Sequence, residues 1–227
     1  MRVATASEAG NPKSPNEDWA MASESLIVVL DGATARTGTG CSHGIAWYSA
    51  KLGSALAGLA ADRDSELANA LMYGIRFTAD QHRDTCDLSH PGTPSAATAM
   101  LRLKDTALEY LVLGDVTVLI DTADGIQVIN QPGGYWVAAA DPFAAQHAIT
   151  GEVPLDNVRR VDVLTDGAAR LVALFGLLDW PDVLEVLEQN GPTELIRRVR
   201  AIEAADPSCM KWARNKRSDD ATAVYAA

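Results

Sequence analysis

Positive charge is scarce in this chain: 19 Lys and Arg stand against 30 Asp and Glu over 227 residues, a formal net charge of -11. A nucleic-acid backbone is gripped by concentrated Lys and Arg, so this balance excludes nucleic acid as a partner. The basic run at residues 211–217 directly precedes the acidic pair Asp219-Asp220 and reads as a solvated loop, with contact to an anionic substrate as the alternative. Cysteine is scarce too. Cys41, Cys86 and Cys209 cannot all pair within one chain, which points to a reducing compartment rather than a disulfide scaffold. No apolar run approaches the roughly 18 residues of a membrane span, and residues 1–7 lack the apolar core of a signal peptide. The expectation is a soluble, cytoplasmic protein with no membrane partner. Repeats of fixed period are absent. Gly38-Thr39-Gly40 is not followed by Lys-Ser or Lys-Thr, which excludes a nucleotide-binding P-loop. Apolar residues make up 48% of the chain, enough for a substantial core, and the length predicts one domain over residues 1–227.

What the chain does have is a series of short acidic stations: Asn16-Glu17-Asp18, Asp31-Gly32, Gly114-Asp115, Thr165-Asp166-Gly167 and Asp219-Asp220. Apolar runs at residues 26–30, 108–113 and 160–164 lead into three of them, so these carboxylates should emerge where buried strands reach the surface. Asp and Gly also form ordinary turns, but several such ends gathered together would repel one another. A hard divalent cation, which prefers carboxylate, carbonyl and water oxygens, gives a physical reason to gather them.

The order of elements predicts an α+β layered architecture. Strands are expected at residues 2–7, 19–21 and 26–30, followed by a Gly- and Thr-rich loop at 32–40. Helical spacing of Ile45, Leu52, Leu56 and Leu59, and of Leu67, Leu71, Ile75 and Phe77, predicts an antiparallel pair of helices over residues 42–59 and 65–85. Strands at 96–103, 107–113, 116–121 and 126–130 read as a consecutive antiparallel meander. After a Gly- and Ala-rich stretch at 132–150 come another strand ending at Thr165, helices at 167–175, 181–189 and 192–205, and a last strand at 221–226. Trp47, Trp136, Trp180 and Trp212 are expected as packing anchors.

The succession Asn16-Glu17-Asp18, Val28-Val-Leu-Asp31-Gly32, Gly92-Thr93-Pro-Ser-Ala-Ala-Thr98-Ala99, Leu113-Gly114-Asp115, Leu164-Thr165-Asp166-Gly167 and Ser218-Asp219-Asp220-Ala-Thr222 resembles the metal-dependent Ser/Thr protein phosphatases of the 2C type, the PPM family. The resemblance spans essentially the whole chain. It implies a four-layer α-β-β-α sandwich of two antiparallel sheets and a centre holding two Mg²⁺ or Mn²⁺ ions, with a third as an option. Carried over by position, Asp31 would bridge both metals and the Gly32 carbonyl would complete the first site. Asp166 and Asp219 would hold the second, Asp115 would serve the third, and Asp18 would orient the attacking water. The substrate implied is phosphoserine or phosphothreonine in a phosphoprotein. The alternative is a pseudophosphatase that binds without turnover.

Three departures qualify the resemblance. Lys13 stands where relatives usually place a phosphate-clamping arginine, and lysine offers a point charge rather than a planar fork. Ala33 and Thr34 follow Asp31-Gly32 where many relatives carry a histidine that protonates the leaving oxygen; His43 could serve only if the intervening loop folds back. The segment between Asp115 and Asp166 is short, which implies a reduced flap at residues 132–156. Finally, Cys41, His43, His82 and Cys86 form a zinc-type ligand set in kind. The antiparallel hairpin makes a shared Zn²⁺ site geometrically possible, but their spacing matches no standard finger, so separate side chains on helices are the favoured reading.

Overall fold

The structure, a computed structural model, describes residues 2–34, 38–131 and 136–227. The chain runs β1 (Val3–Glu8), β2 (Trp19–Ala22), β3 (Leu26–Gly32), α1 (Ile45–Ala60), α2 (Leu67–Asp80), β4 (Ala96–Leu103), β5 (Ala107–Leu113), β6 (Thr117–Thr122) and β7 (Gly125–Ile129). It continues with β8 (Ile149–Pro154), β9 (Val158–Leu164), α3 (Asp166–Ala173), α4 (Trp180–Asn190), α5 (Pro192–Ala205) and β10 (Ala221–Ala226). Two five-stranded sheets result, in the orders β1-β10-β9-β6-β7 and β2-β3-β4-β5-β8, and their strand pairs are antiparallel.

Three buried clusters define four layers. Val28, Leu30 and Met100 face α1 and α2 through Tyr48, Leu52, Leu71 and Ile75. Ile27, Val29 and Ala99, on the opposite face of the same strands, meet Val118, Ile120 and Val163 of the other sheet. Leu119, Leu164 and Ala223 pack beneath α3–α5. Side chains alternate faces along a strand, so β3 contributes to the first two clusters at once; both its faces are covered, and its sequence is therefore apolar from Leu26 to Leu30.

The expected architecture holds, with corrections. The four consecutive strands do not form one meander. The β4–β5 hairpin belongs to one sheet and the β6–β7 hairpin to the other. Gly114, at φ 87°, stands at the crossing; a side chain is strained at that angle, and an added β-carbon would also press on Ala97. The Gly- and Ala-rich stretch hides β8, which pairs along β5, and a 3₁₀ turn at Pro142–His147. Both hairpin helices are shorter than expected: α1 begins after Gly44, whose φ is 82°, and α2 ends at Asp80. Phe77 lies two residues past Ile75, about 200° around the helix, and is exposed rather than on the buried stripe. Trp136 is also largely exposed and stacks on His147 at 3.7 Å.

α4 opens with a capping box between Asp179 and Asp182, and α5 opens on Pro192 immediately after Gly191. No helix among the described residues is long and apolar enough to cross a membrane.

Candidate metal centre

The ends of β3, β5 and β9 deliver their carboxylates to one place. Asp31, Gly32, Asp115, Asp166 and Asp219 all line a single open cavity of about 710 Å³. Asp31 lies on β3, one residue from its end; Asp115 follows the Gly114 crossing after β5; Asp166 opens α3 directly after β9; and Asp219 lies just ahead of β10. The backbone N–H of Asp166 donates to Asp31 Oδ2 at 2.9 Å, which fixes two of the stations against each other. An added β-carbon on Gly32 would collide with the Glu17 carbonyl, so only glycine lets this strand end lie flush against the Asn16-Glu17-Asp18 segment.

Asp18 sits beneath the cavity floor rather than on its lining. It is buried, and its Oδ2 accepts hydrogen bonds from Thr165 Oγ1 at 2.9 Å and Thr222 Oγ1 at 2.7 Å. Its Oδ1 is buried without a partner among the described residues. Asp220 ties the amino-terminal segment down, accepting from the N–H groups of Gly10 at 2.8 Å and Glu17 at 2.6 Å. Asp219 Oδ2 accepts from Arg170 Nη2 at 2.8 Å, and Arg170 in turn reaches Glu203 at 2.6 Å.

So much acid in one place is electrostatically costly. Desolvation by the surrounding protein, followed by the charges of Asp18 and Asp166, pushes Asp31 well above the usual carboxylate range. Burial also lifts Asp18 to about 7, against the two threonine hydroxyls that favour its ionised form. Desolvation, then the charges of Asp219 and Asp115, lifts Asp166 to about 6, although it faces the open cavity, where water screens part of that push. A divalent cation would reverse the sign of these interactions. The donors are carboxylates and a backbone carbonyl, the oxygen set that Mg²⁺ and Mn²⁺ favour, and Asp18 keeps a buried oxygen unpartnered. The residues therefore fit such a group.

A search of solved structures finds the same architecture over nearly the full length of this chain. The catalytic domain of the serine/threonine protein phosphatase PstP, in complex with two manganese ions, matches at 19% identity with a TM-score of 0.64, covering 99% of this chain and 96% of that one. PstP/Ppp of Mycobacterium tuberculosis matches at 18% with a TM-score of 0.68, covering 99% and 97%. Stp1 of Staphylococcus aureus matches at 13% with a TM-score of 0.67, covering 100% and 94%. The fold is that of the PPM-type Ser/Thr phosphatases. No family model matches the chain, and a search of curated proteins finds no match.

On this phosphatase fold, several expected site residues stand elsewhere than this cavity. Lys13 lies on an exposed turn where its own N–H donates to Asn11 Oδ1, and it does not line the cavity. His43 points away into the Cys41–Cys86 cluster, where it stacks on Trp47 at 4.2 Å. Among the described residues, the cations that line the cavity are Arg170, Arg214 and Lys216. Arg170 is held by Asp219 and Glu203. Arg214 is held by Asp206 at 2.7 Å and by the carbonyls of Asp206, Trp212 and Arg217. Lys216 is half-exposed, donates to Thr34 Oγ1 at 2.9 Å and pairs with Asp219. The basic run read as a solvated loop therefore supplies two of these cations; its position immediately before Asp219 was the signal for that. Val137 lines the cavity from the segment read as a reduced flap, of which residues 132–135 lie outside the described residues, as do residues 35–37 of the Gly- and Thr-rich loop.

Proposed function

We propose that the chain is a Mg²⁺- or Mn²⁺-dependent phosphatase of phosphoserine and phosphothreonine in proteins, acting as a single catalytic domain. The observation that carries this reading is the convergence of Asp31, Asp115, Asp166 and Asp219, from widely separated stretches of sequence, on one open cavity. Two ions held by Asp31, the Gly32 carbonyl, Asp166 and Asp219, with Asp115 available to a third, would supply an activated water and stabilise charge on the phosphoryl oxygens.

The chain's own residues do the rest. Thr165 and Thr222 hold the Asp18 carboxylate in one orientation, where its charge, felt at Asp31, would favour a cation in the cavity; orienting the attacking water is the role the resemblance implies for it. Arg170 fixes Asp219, and Asp220 fixes the segment that carries Asp18. Lys216, half-exposed at the cavity, is the candidate contact for the substrate phosphate, in place of Lys13. The cavity is open rather than a closed slot, which suits a phosphorylated side chain presented on a protein surface. No described histidine lines the cavity, so the leaving oxygen takes its proton from water.

The test is phosphate release from a phosphothreonine peptide and from p-nitrophenyl phosphate with added Mn²⁺. Wild type should turn over both, and Asp31→Ala should lose at least two orders of magnitude in kcat, a size typical of removing an electrostatic or metal-holding group. Lys216→Ala should raise KM by about tenfold, whereas Lys13→Ala should change it little, an energetic difference of about 1.4 kcal/mol. An inactive wild type would instead favour a binding role for the same fold.

A further inference from the structure

The expectation that Cys41, His43, His82 and Cys86 are separate side chains is overturned by the fold. Because α1 starts only at Ile45 and α2 stops at Asp80, all four belong to the chain segments flanking the open end of the helical hairpin. Their ligand atoms lie within 4.8 Å of one another. Cys41 Sγ is 3.5 Å from His82 Nδ1 and 3.8 Å from His43 Nδ1, and Cys86 Sγ is 3.4 Å from His43 Nδ1. Zn–S bonds of about 2.3 Å and Zn–N bonds of about 2.0–2.1 Å give a tetrahedron whose S–N edges are roughly 3.6 Å. The three measured edges bracket that value. The two sulfurs, 2.9 Å apart, are closer than the roughly 3.8 Å edge such bonds imply, so they must separate around a cation.

We propose that Cys41, His43, His82 and Cys86 hold a structural Zn²⁺ ion that staples the start of α1 to the segment following α2. Two thiolates and two imidazoles neutralise the ion and fill all four tetrahedral positions, the closed arrangement of a structural rather than a catalytic zinc. Soft sulfur ligands also separate this site from the all-oxygen cavity, so Zn²⁺ is selected here and Mg²⁺ or Mn²⁺ there.

Two further observations point to an ion. His82 is 2% exposed, and its Nδ1 faces Cys41 Sγ inside the cluster. A weak contact to sulfur compensates a buried ring nitrogen poorly, whereas a bond from Nδ1 to a cation would compensate it well. Each sulfur also accepts a backbone N–H, Cys41 from His43 at 3.4 Å and Cys86 from Ser42 at 3.4 Å, which orients both thiolates toward the centre. The two segments are already joined by a hydrogen bond from the Asp87 N–H to the Gly40 carbonyl at 2.8 Å. The consequence reaches the metal cavity. Residues 33–40 link Gly32 directly to Cys41, and Ala33 and Thr34 line the cavity, so the staple fixes the far end of that loop.

The experiment is elemental analysis of the full chain purified without chelator and dialysed against excess Mn²⁺. One zinc per chain should remain in wild type and in Asp31→Ala, and it should be lost from Cys41→Ser and Cys86→Ser. Should those variants fail to fold, wild type stripped of zinc and reloaded with Co²⁺ should show thiolate-to-cobalt charge-transfer absorption and the visible bands of a tetrahedral site. Zinc displaced by Mn²⁺, zinc unchanged in Cys41→Ser, or a Cys41–Cys86 disulfide without metal would each overturn the proposal. None of these readouts depends on turnover, so failure of the zinc site and failure of the phosphatase reading are distinguishable.

Discussion

Asp162 shows what a single residue can cost. It lies on β9, fully buried, and neither carboxylate oxygen has a partner among the described residues. Burial pushes its carboxyl well above the usual range, against the partial relief of Arg160. In the folded state the group therefore keeps its proton at pH values where the unfolded chain has released it. The folded form then binds more protons, so stability falls as pH rises from the ordinary carboxyl value of 3.8 through the folded pKa, and the penalty is complete above it. Asp162→Leu should remove that slope and stabilise the protein at pH 7 by about 1–3 kcal/mol, the cost of an unsatisfied buried polar group. Urea unfolding of both proteins at pH 4 and pH 7 checks this; equal slopes with pH would rule Asp162 out as the source. In the sequence, Asp162 stands between Val161 and Val163 just after Arg159 and Arg160, and nothing there told which face it would occupy. Lys216 was half-hidden: the basic run's place just before Asp219 was a signal, but its contact with Thr34 depends on where that chain lies relative to β3.

At the scale of elements, Arg102 on β4 locks the helical hairpin to its sheet. It is 2% exposed, and its guanidinium donates to the carbonyls of Ala60, Asp62 and Ser65 in and after the helix connection and to Glu109 of β5. Arg102→Met keeps much of the volume but leaves three carbonyls without their donor and Glu109 with Lys104 alone. It should cost about 3 kcal/mol or more in urea denaturation, the usual result of removing one partner from a buried ion pair. A loss under 1 kcal/mol would mean that water enters to replace the guanidinium. The elements themselves were largely legible, because periods of two and of three to four residues are properties of the local chain. Their ends were not: Gly44 and the turn after Asp80 shortened both helices, and β8 escaped notice because its apolar content is low and its pairing partner, β5, is distant in sequence.

For the whole molecule, the dominant unbalanced force is acidic repulsion at the cavity, set within a net charge of -11. A cation that binds only the folded chain stabilises it by mass action, by about 2.7 kcal/mol when present at one hundred times its Kd. Thermal unfolding should therefore shift upward as Mn²⁺ is titrated into metal-free protein, and Asp31→Ala should abolish most of that shift. A wild-type Tm indifferent to Mn²⁺ would argue that the four carboxylates do not hold a metal.

The sequence by itself determined the layers and the acidic stations. Apolar periodicity dictates which faces are buried, and an Asp placed after a buried run must emerge at a strand end. Only the tertiary structure decided which side chains share a cavity and which share a cluster. It set Lys13 on an exposed turn, brought Lys216 to Thr34 at the cavity, and closed Cys41, His43, His82 and Cys86 into one cluster. Such meetings depend on where helices stop and how sheets stack, and these are fixed by contacts between residues far apart in the chain rather than by any local pattern.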